Sequence, residues 1–428
     1  MDITREQNRA GSLLATTNRV EAPFVRVSMG GYTFGVYEGK KKVTRSSNGV
    51  IENTSIKYPN YVQSLSVKKI NGTVNTYSLK ITYPITENSD PNFFEKIFSS
   101  ISDTFKIGFS YGDAMLPDYI YRDEDAIITN VRSTFNINNA TIDYDIDAVS
   151  TSSLTLSGTY TFPTVTAKPS DIIKRVLYNS KYHLTDVFTG MRNKSLVEQN
   201  NFIASDDKIV KIPTCTNMSI LEYISFLVTY MNPTGSTTSS AIKQNVYSIM
   251  TYEDTTDTYG GPYFKVQKVQ KASNSLNQLC SYTVDIGYPS SNVVKDFRLD
   301  NNQNWSIFYK YNRKLDNSDY LRRIDSKGEI EYIYSPQLTN TKFEMNENDA
   351  TWWTKVTQYP VSASITIKGL LKPAILMQYI KLNMWYFGHK HIASGYYIIT
   401  AQEDNISISG GYTTKLNLLR IAPDEDII

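Results

Sequence analysis

Residues Val361–Lys368 alternate apolar and polar without a slip. Val361, Ala363, Ile365 and Ile367 fall on one face, and Ser362, Ser364, Thr366 and Lys368 on the other. A period of two belongs to a half-buried antiparallel strand, because successive side chains of an extended backbone leave on opposite faces. Gly369 and Pro373 break it. The strand therefore needs a core on one side and tolerates water on the other.

The same period recurs along the chain. Val25, Val27 and Met29 alternate, Gly30-Gly31 allows a bulge or turn, and Tyr32, Phe34 and Val36 resume the apolar positions. Strands predicted at Val62–Ile70 and 74–83 flank Asn71-Gly72, a pair suited to a type I′ turn with positive φ. In the second of them Tyr77, Leu79, Ile81 and Tyr83 share a face. Further strands are predicted at 105–111, 126–134 and 141–149. A helix at 91–104 interrupts them: Asp90 can cap it, Pro91 suits the first position, and Phe93, Phe94, Ile97, Phe98 and Ile101 form one stripe.

After a Ser/Thr-rich stretch at 150–166 the character changes. Pro169-Ser170-Asp171 opens a helix with Ile172, Ile173, Val176 and Leu177 on one face. A second helix starts at Ser219, with Glu222 completing a capping box, and Pro233-Thr234-Gly235 stops it. Tyr263–Val269 reads as a strand. Strands return at 292–299 and 306–311, and the polar stretch 312–350 reads as loops. The close is an apolar run at 375–387, a turn at His389-Lys390-His391, and strands at 396–400, 406–408 and 416–420. The expected fold class is mainly β with an α+β insert. The expected division is an arm at 1–20, a β-domain at 21–166, an α+β domain at 167–285 and a second β-domain at 286–428.

A chain of 428 residues has room for two to four domains of roughly 100–200 residues each. Its 32 tyrosines against 4 tryptophans suit strands whose second face meets solvent or another subunit. The net charge is +2 with the signs well mixed, so no basic excess marks a protein that coats nucleic acid. Lys40-Lys41-Lys42 reads as a solvated loop. Cys215 and Cys280 lie far apart with no CxxC partner, as expected of a protein made in a reducing cytosol. The polar N-terminus lacks the apolar core of a signal peptide, and no segment reaches the ~20 apolar residues of a membrane helix.

Chemistry is sparse. His183, His389 and His391 are the only histidines, and no cysteine or carboxylate stands near the latter two in sequence to complete a zinc set. Asp143, Asp145 and Asp147 align on one face of a strand, where carboxylates in a row could attract a divalent cation. The simpler reading is a wet sheet face, and in a tubular assembly that face could line the lumen. Trp352-Trp353 in polar surroundings reads as a subunit or partner contact. There is no GxSxG, no HExxH and no Gly-rich phosphate loop. No catalytic residue, cofactor site or metal site is assigned.

The order of elements at the end of the chain resembles the C-terminal β-domain of phage tail hub proteins. It runs from the strand at 361 through Gly369, Leu371 and Pro373, then His391, Ser394-Gly395, Tyr397 and Ile399, to Gly411-Tyr412, Thr414, Leu416, Leu418 and Arg420. The helix opening at Pro169 and the Ser219-Ile220-Leu221-Glu222 helix resemble the middle domain of the same proteins. The resemblance implies a homotrimer in which each subunit supplies two domains shaped like the tail-tube subunit, here 21–166 and 286–428. Three subunits would then form a pseudo-sixfold ring joining the tube to a spike or tip. The implied partners are further copies of the chain, tail-tube protein, spike or tail-tip protein and other baseplate proteins, with DNA only in transit. The implied location is the virion tail, after synthesis in the host cytoplasm. Two other classes stay open: a carbohydrate-binding adhesin or receptor-binding protein, and a tail lysin. A phage hub and the hub of a phage-derived injection machine share this pattern.

Overall fold

The computed structural model describes residues 23–35, 42–45, 51–54, 61–100, 105–113, 121–205, 207–231, 246–253, 260–269, 281–286, 294–301, 310–311, 320–324, 330–334, 361–368, 376, 379–387, 389–391, 394–407 and 410–423. The arm at 1–20, Lys40, Lys41, Cys280 and Trp352-Trp353 lie outside them.

The first strands are β1 (Pro23–Met29), β2 (Tyr32–Gly35), β3 (Lys42–Arg45), β4 (Ile51–Thr54), β5 (Val62–Ile70), β6 (Thr76–Pro84), β7 (Lys106–Asp113), β8 (Tyr121–Asn136) and β9 (Thr141–Ser150). Short strands follow: β10 (Thr159–Phe162), β11 (Val165–Ala167), β12 (Val210–Ile212), β13 (Cys215–Ser219), β14 (Val246–Tyr252) and β15 (Tyr263–Val269). The last group is β16 (Ser281–Ile286), β17 (Val294–Asn301), β18 (Lys310–Tyr311), β19 (Tyr320–Ile324), β20 (Ile330–Tyr334), β21 (Val361–Lys368), β22 (Tyr379–Tyr386), β23 (His389–Lys390), β24 (Gly395–Ser407) and β25 (Gly411–Pro423). The helices are α1 (Phe93–Ser100), α2 (Ser152–Leu156), α3 (Pro169–Leu177), α4 (Leu184–Val187), α5 (Leu196–Gln199) and α6 (Ile220–Thr229). None of the described helices is long and apolar enough to cross a membrane.

One 14-stranded sheet joins both ends of the chain, in the order β17-β21-β25-β24-β5-β6-β9-β8-β7-β1-β2, with β16 and β23 attached through β22. It curls. Tyr77 on β6 stacks on Phe109 of β7 at 4.9 Å, and Tyr111 on β7 meets Tyr412 on β25 at 6.4 Å. Neither pair sits on hydrogen-bonded neighbours, so the inward face must wrap around a common interior. That interior holds Val25, Val27, Val67, Leu79, Ile81, Ile107 and Ile146, is capped by Phe94 and Ile97 of α1, and includes Ile406 and Tyr412 from the far end of the chain. A second core packs α3 and α6 and strands β14 and β15 against Ala363, Ile365, Ile367, Leu382, Tyr397, Ile399, Leu416 and Leu418.

The hairpin of β24 and β25 thus serves both cores, and a bulge makes this possible. Ile399 pairs with Leu418, but Ala401 pairs with Asn417, so one extra residue enters β24 at Thr400. Before it Tyr397 and Ile399 point inward, and after it Gln402, Asp404 and Ile406 do. Beyond the bulge β24 takes β5 as its second neighbour. The carbonyl of Thr400 accepts the Asn71 amide at 3.4 Å. The expected break between strands at 396–400 and 406–408 is therefore absent; a single 13-residue strand runs through.

Other expectations hold locally. Gly30 and Gly31 take φ of 55° and 80°, as a two-residue hairpin turn requires. Ser219 and Glu222 form the capping box, and α3 carries Pro at its start. Asp90 accepts the Asn92 amide at 3.0 Å ahead of α1; residues 101–104 of the expected helix lie outside the described residues. Asn71-Gly72 is different. Pairing stops at Lys68 and Thr76, and of the two residues only Gly72 has positive φ. The turn is wider because its backbone is occupied elsewhere: Gly72 donates to the Ile249 carbonyl at 3.1 Å, and Asn71 Oδ1 accepts the Ile249 amide at 3.1 Å. The stretch 312–350 is not all loop, since β19 and β20 pair with each other and β19 with β18. Their β-forming residues occur in runs too short for the period to stand out among polar flanks. His389-Lys390 is likewise a short strand against β22 rather than a turn.

Candidate functional site

The outward face of the large sheet is built by cross-strand register. One row runs Thr413–Asn405–Ser66–Ser78–Asp147–Asn130 across β25, β24, β5, β6, β9 and β8. The next runs Ser407–Ser64–Lys80–Asp145–Arg132. These are the positions that the period of two leaves outside the core, and they are short, polar or charged.

Asp147 and Asp145 lie in these rows, and Asp143 in the next one, between Thr82 and Thr134. Asp147 pairs with Arg132 at 3.0 Å, and Asp143 accepts from Thr82 Oγ1 at 2.5 Å. Lys80 and Arg132 stand on either side of Asp145 in the register. The aspartates are therefore interleaved with cations and hydroxyls from the neighbouring strands. Two cations among three carboxylates offset part of the negative stripe that the sequence alone suggested. Among the described residues no group of three or more His, Cys, Asp or Glu is arranged to hold a metal ion.

The remaining sequence candidates are scattered. His389 is exposed on β23, and His391 is held by its amide to the Met384 carbonyl at 2.8 Å. His183 meets Asp186 at 3.0 Å on the surface of the helical part, and Arg192 meets the same carboxylate at 2.9 Å. That pairing, led by the His183 hydrogen bond, holds the Asp186 carboxyl below the usual range. Cys215 is a buried free thiol, raised by its burial.

Sequence reading missed a buried polar cluster. Lys69 and Glu124 are 4% and 1% exposed and pair at 2.7 Å. Glu124 also accepts from Tyr77 at 2.7 Å and Tyr111 at 2.9 Å, so the carboxylate is well satisfied. Burial first, and then the Glu124 charge, push the Tyr77 hydroxyl well above its usual range. Nearby, Glu253 is buried and accepts from Ser152 at 2.6 Å, while Ser150 and Ser152 lie 3.0 Å apart. Asp404 accepts from Thr414 at 2.7 Å and from Gln402 at 3.1 Å. A signal was present: Lys69 continues the inward series Leu65, Val67, and Glu124 precedes Ala126 and Ile128 on theirs. Charges of opposite sign on inward parity suggest a buried pair.

No protein-family model and no curated protein matches the sequence. Solved structures do. A 43 kDa tail protein of prophage MuSo2 from Shewanella oneidensis is similar with a TM-score of 0.51 and 10% identity, covering 93% of this chain and 97% of that one. A tail protein from Neisseria meningitidis gives a TM-score of 0.46 at 8% identity, covering 93% and 96%. A type VI secretion component of E. coli, described as structurally similar to bacteriophage T4 tail proteins, gives 0.42 at 8% identity, covering 85% and 74%. The latter two are weaker likenesses, and the fold assignment rests on the first. The chain has the mainly β fold of a phage tail protein, in keeping with the resemblance seen in its sequence.

Proposed function

We propose that this chain is a structural tail hub of a bacteriophage or of a phage-derived injection machine. In this reading three copies form a ring that joins the tail tube to a spike or tip, and DNA passes through the lumen. The observation that carries the proposal is the fold shared with the MuSo2 tail protein over nearly the full length of both chains. A match of that extent favours the whole architecture over one common module.

The geometry supports the same reading. We take 21–166 and 286–428 as the two tube-like β units and 167–285 as the middle unit, with the β24–β25 hairpin shared by both cores. A single sheet spanning both units offers each subunit two side-by-side segments of wall, which is what a pseudo-sixfold ring of three needs. The outward rows at Asp143, Asp145, Asp147, Lys80 and Arg132 would face the lumen. Their cations stand beside carboxylates, so few are free to hold phosphates, and DNA would slide rather than stick. The chain is read as a virion component without enzymatic activity, made in the host cytoplasm.

Coexpression with its tail-tube and spike or tail-tip proteins, followed by native mass spectrometry, tests the proposal. Three copies of the chain bound to a trimeric spike are expected. A monomer that binds neither protein but retains glycans would favour an adhesin instead.

A further inference from the structure

The buried cluster beneath the sheet holds more acid than base. Glu124 takes the Lys69 ammonium and two tyrosine hydroxyls, as described above. Among the described residues Glu253, 2% exposed, is met by the Ser150–Ser152 hydroxyl pair, and no lysine, arginine or histidine there forms a salt bridge with it. The ionisable groups that face it are Glu124 from β8, Lys69 from β5 and Tyr77 from β6. A second negative charge in that pocket would lack a counter-charge and would repel Glu124.

Glu253 sits where this matters for motion. It follows directly on β14, which among the described residues pairs with β15 alone. The β14–β15 hairpin packs in the helical core and also meets the first curled sheet. At the middle of β14 the Asn71-Gly72 turn grips Ile249 through two hydrogen bonds. Past its C-terminal end Glu253 reaches Ser152, just beyond β9. Along this seam Asn75 Nδ2 and Thr251 Oγ1 are buried without a hydrogen-bond partner among the described residues, so polar groups there gain on opening to water.

We propose that Glu253 is a proton-operated latch: its neutral carboxyl holds the end of the β14–β15 hairpin against the first sheet, and its ionisation releases that end. The proton leaves to solvent as the carboxylate becomes hydrated. This inference does not rest on the hub reading. The direction follows from burial, which is the largest influence on Glu253 and, with the Glu124 charge adding to it, pushes its carboxyl up to about 7 from the ordinary 4.5. An acid raised on closing favours the closed state most at low pH. That preference falls as pH climbs from the ordinary carboxyl value and is gone above about 7.

Hydrogen–deuterium exchange of the full-length chain, corrected for intrinsic rates, tests the latch. Protection of 250–252, the end next to Glu253, should fall by more than about tenfold in the native chain between pH 5 and pH 7.5. Residues 141–148 of β9, clear of Ser150, serve as the internal reference and should keep their protection. Glu253→Gln, neutral at every pH, should hold 250–252 protected throughout. Constant protection of 250–252 in the native chain would overturn the proposal, and so would a parallel fall in Glu253→Gln. Should that variant fail to fold, the native profile against β9 decides alone.

Discussion

Lys69 Nζ and Glu124 Oε1 lie 2.7 Å apart although their strands, β5 and β8, are separated in the sheet by β6 and β9. The ion pair spans the interior of the curled sheet. It ties the strand that receives the C-terminal hairpin to the opposite wall.

Removing one partner should cost more than removing both. Lys69→Met leaves Glu124 buried without its cation, and a loss of roughly 3–5 kcal/mol is expected. The double variant Lys69→Met with Glu124→Leu removes both charges and should recover much of that loss. Denaturant unfolding of the two proteins gives the comparison. A double variant less stable than the single one would show that the pair itself is strongly stabilising.

The faces of β21 can be separated by charge. Ile365 is 0% exposed and opposite Leu416, whereas Ser364 is half-buried on the outward face opposite Asn417. Ile365→Asp buries an unpaired carboxylate and should cost several kcal/mol, on the scale of a domain's stability. Ser364→Asp should fold. If Ser364→Asp then fails to enter assembled tails, the outward face is a contact within the ring.

Gly190 is a packing glycine. A Cβ there would lie 2.5 Å from the Gly261 carbonyl oxygen and 3.1 Å from that of Pro262, while the Gly190 amide already donates to Pro262 at 2.9 Å. Gly190→Ala should therefore cost roughly 1–3 kcal/mol through backbone displacement. Gly108→Ala, whose Cβ would meet Asp125 at an ordinary 3.5 Å, is the control and should change little. Equal melting temperatures for the two variants would contradict this packing.

Activity assays should be blank. The Lys69–Glu124 cluster is buried and internally paired, and the sequence carries no GxSxG or HExxH motif. A zymogram on host cell walls should show no clearing. Lysis abolished by changing one carboxylate would reveal an active site and contradict the structural reading.

What the sequence revealed depended on how local each signal is. The inward series of β6, β9 and β21, the Gly30-Gly31 turn and the Ser219 capping box depend on neighbours a few residues away, and each appears where the pattern puts it. The bulge at Thr400 was invisible because its cause, the change of partner from β22 to β5, lies hundreds of residues away. Asn71-Gly72 reads locally as a tight hairpin, but Ile249 competes for its backbone. The Asp143, Asp145 and Asp147 row was visible, while the partial offset of its charge by Lys80 and Arg132 required the register of β6, β9 and β8.

The hub proposal requires three copies of this chain to close into a ring. Negative-stain micrographs of the purified chain, alone and with its tail-tube protein, test it most directly. A ring of three subunits with a central hole is the result expected from the hub reading. Single compact particles under both conditions, with no ring even on the tube, would contradict it.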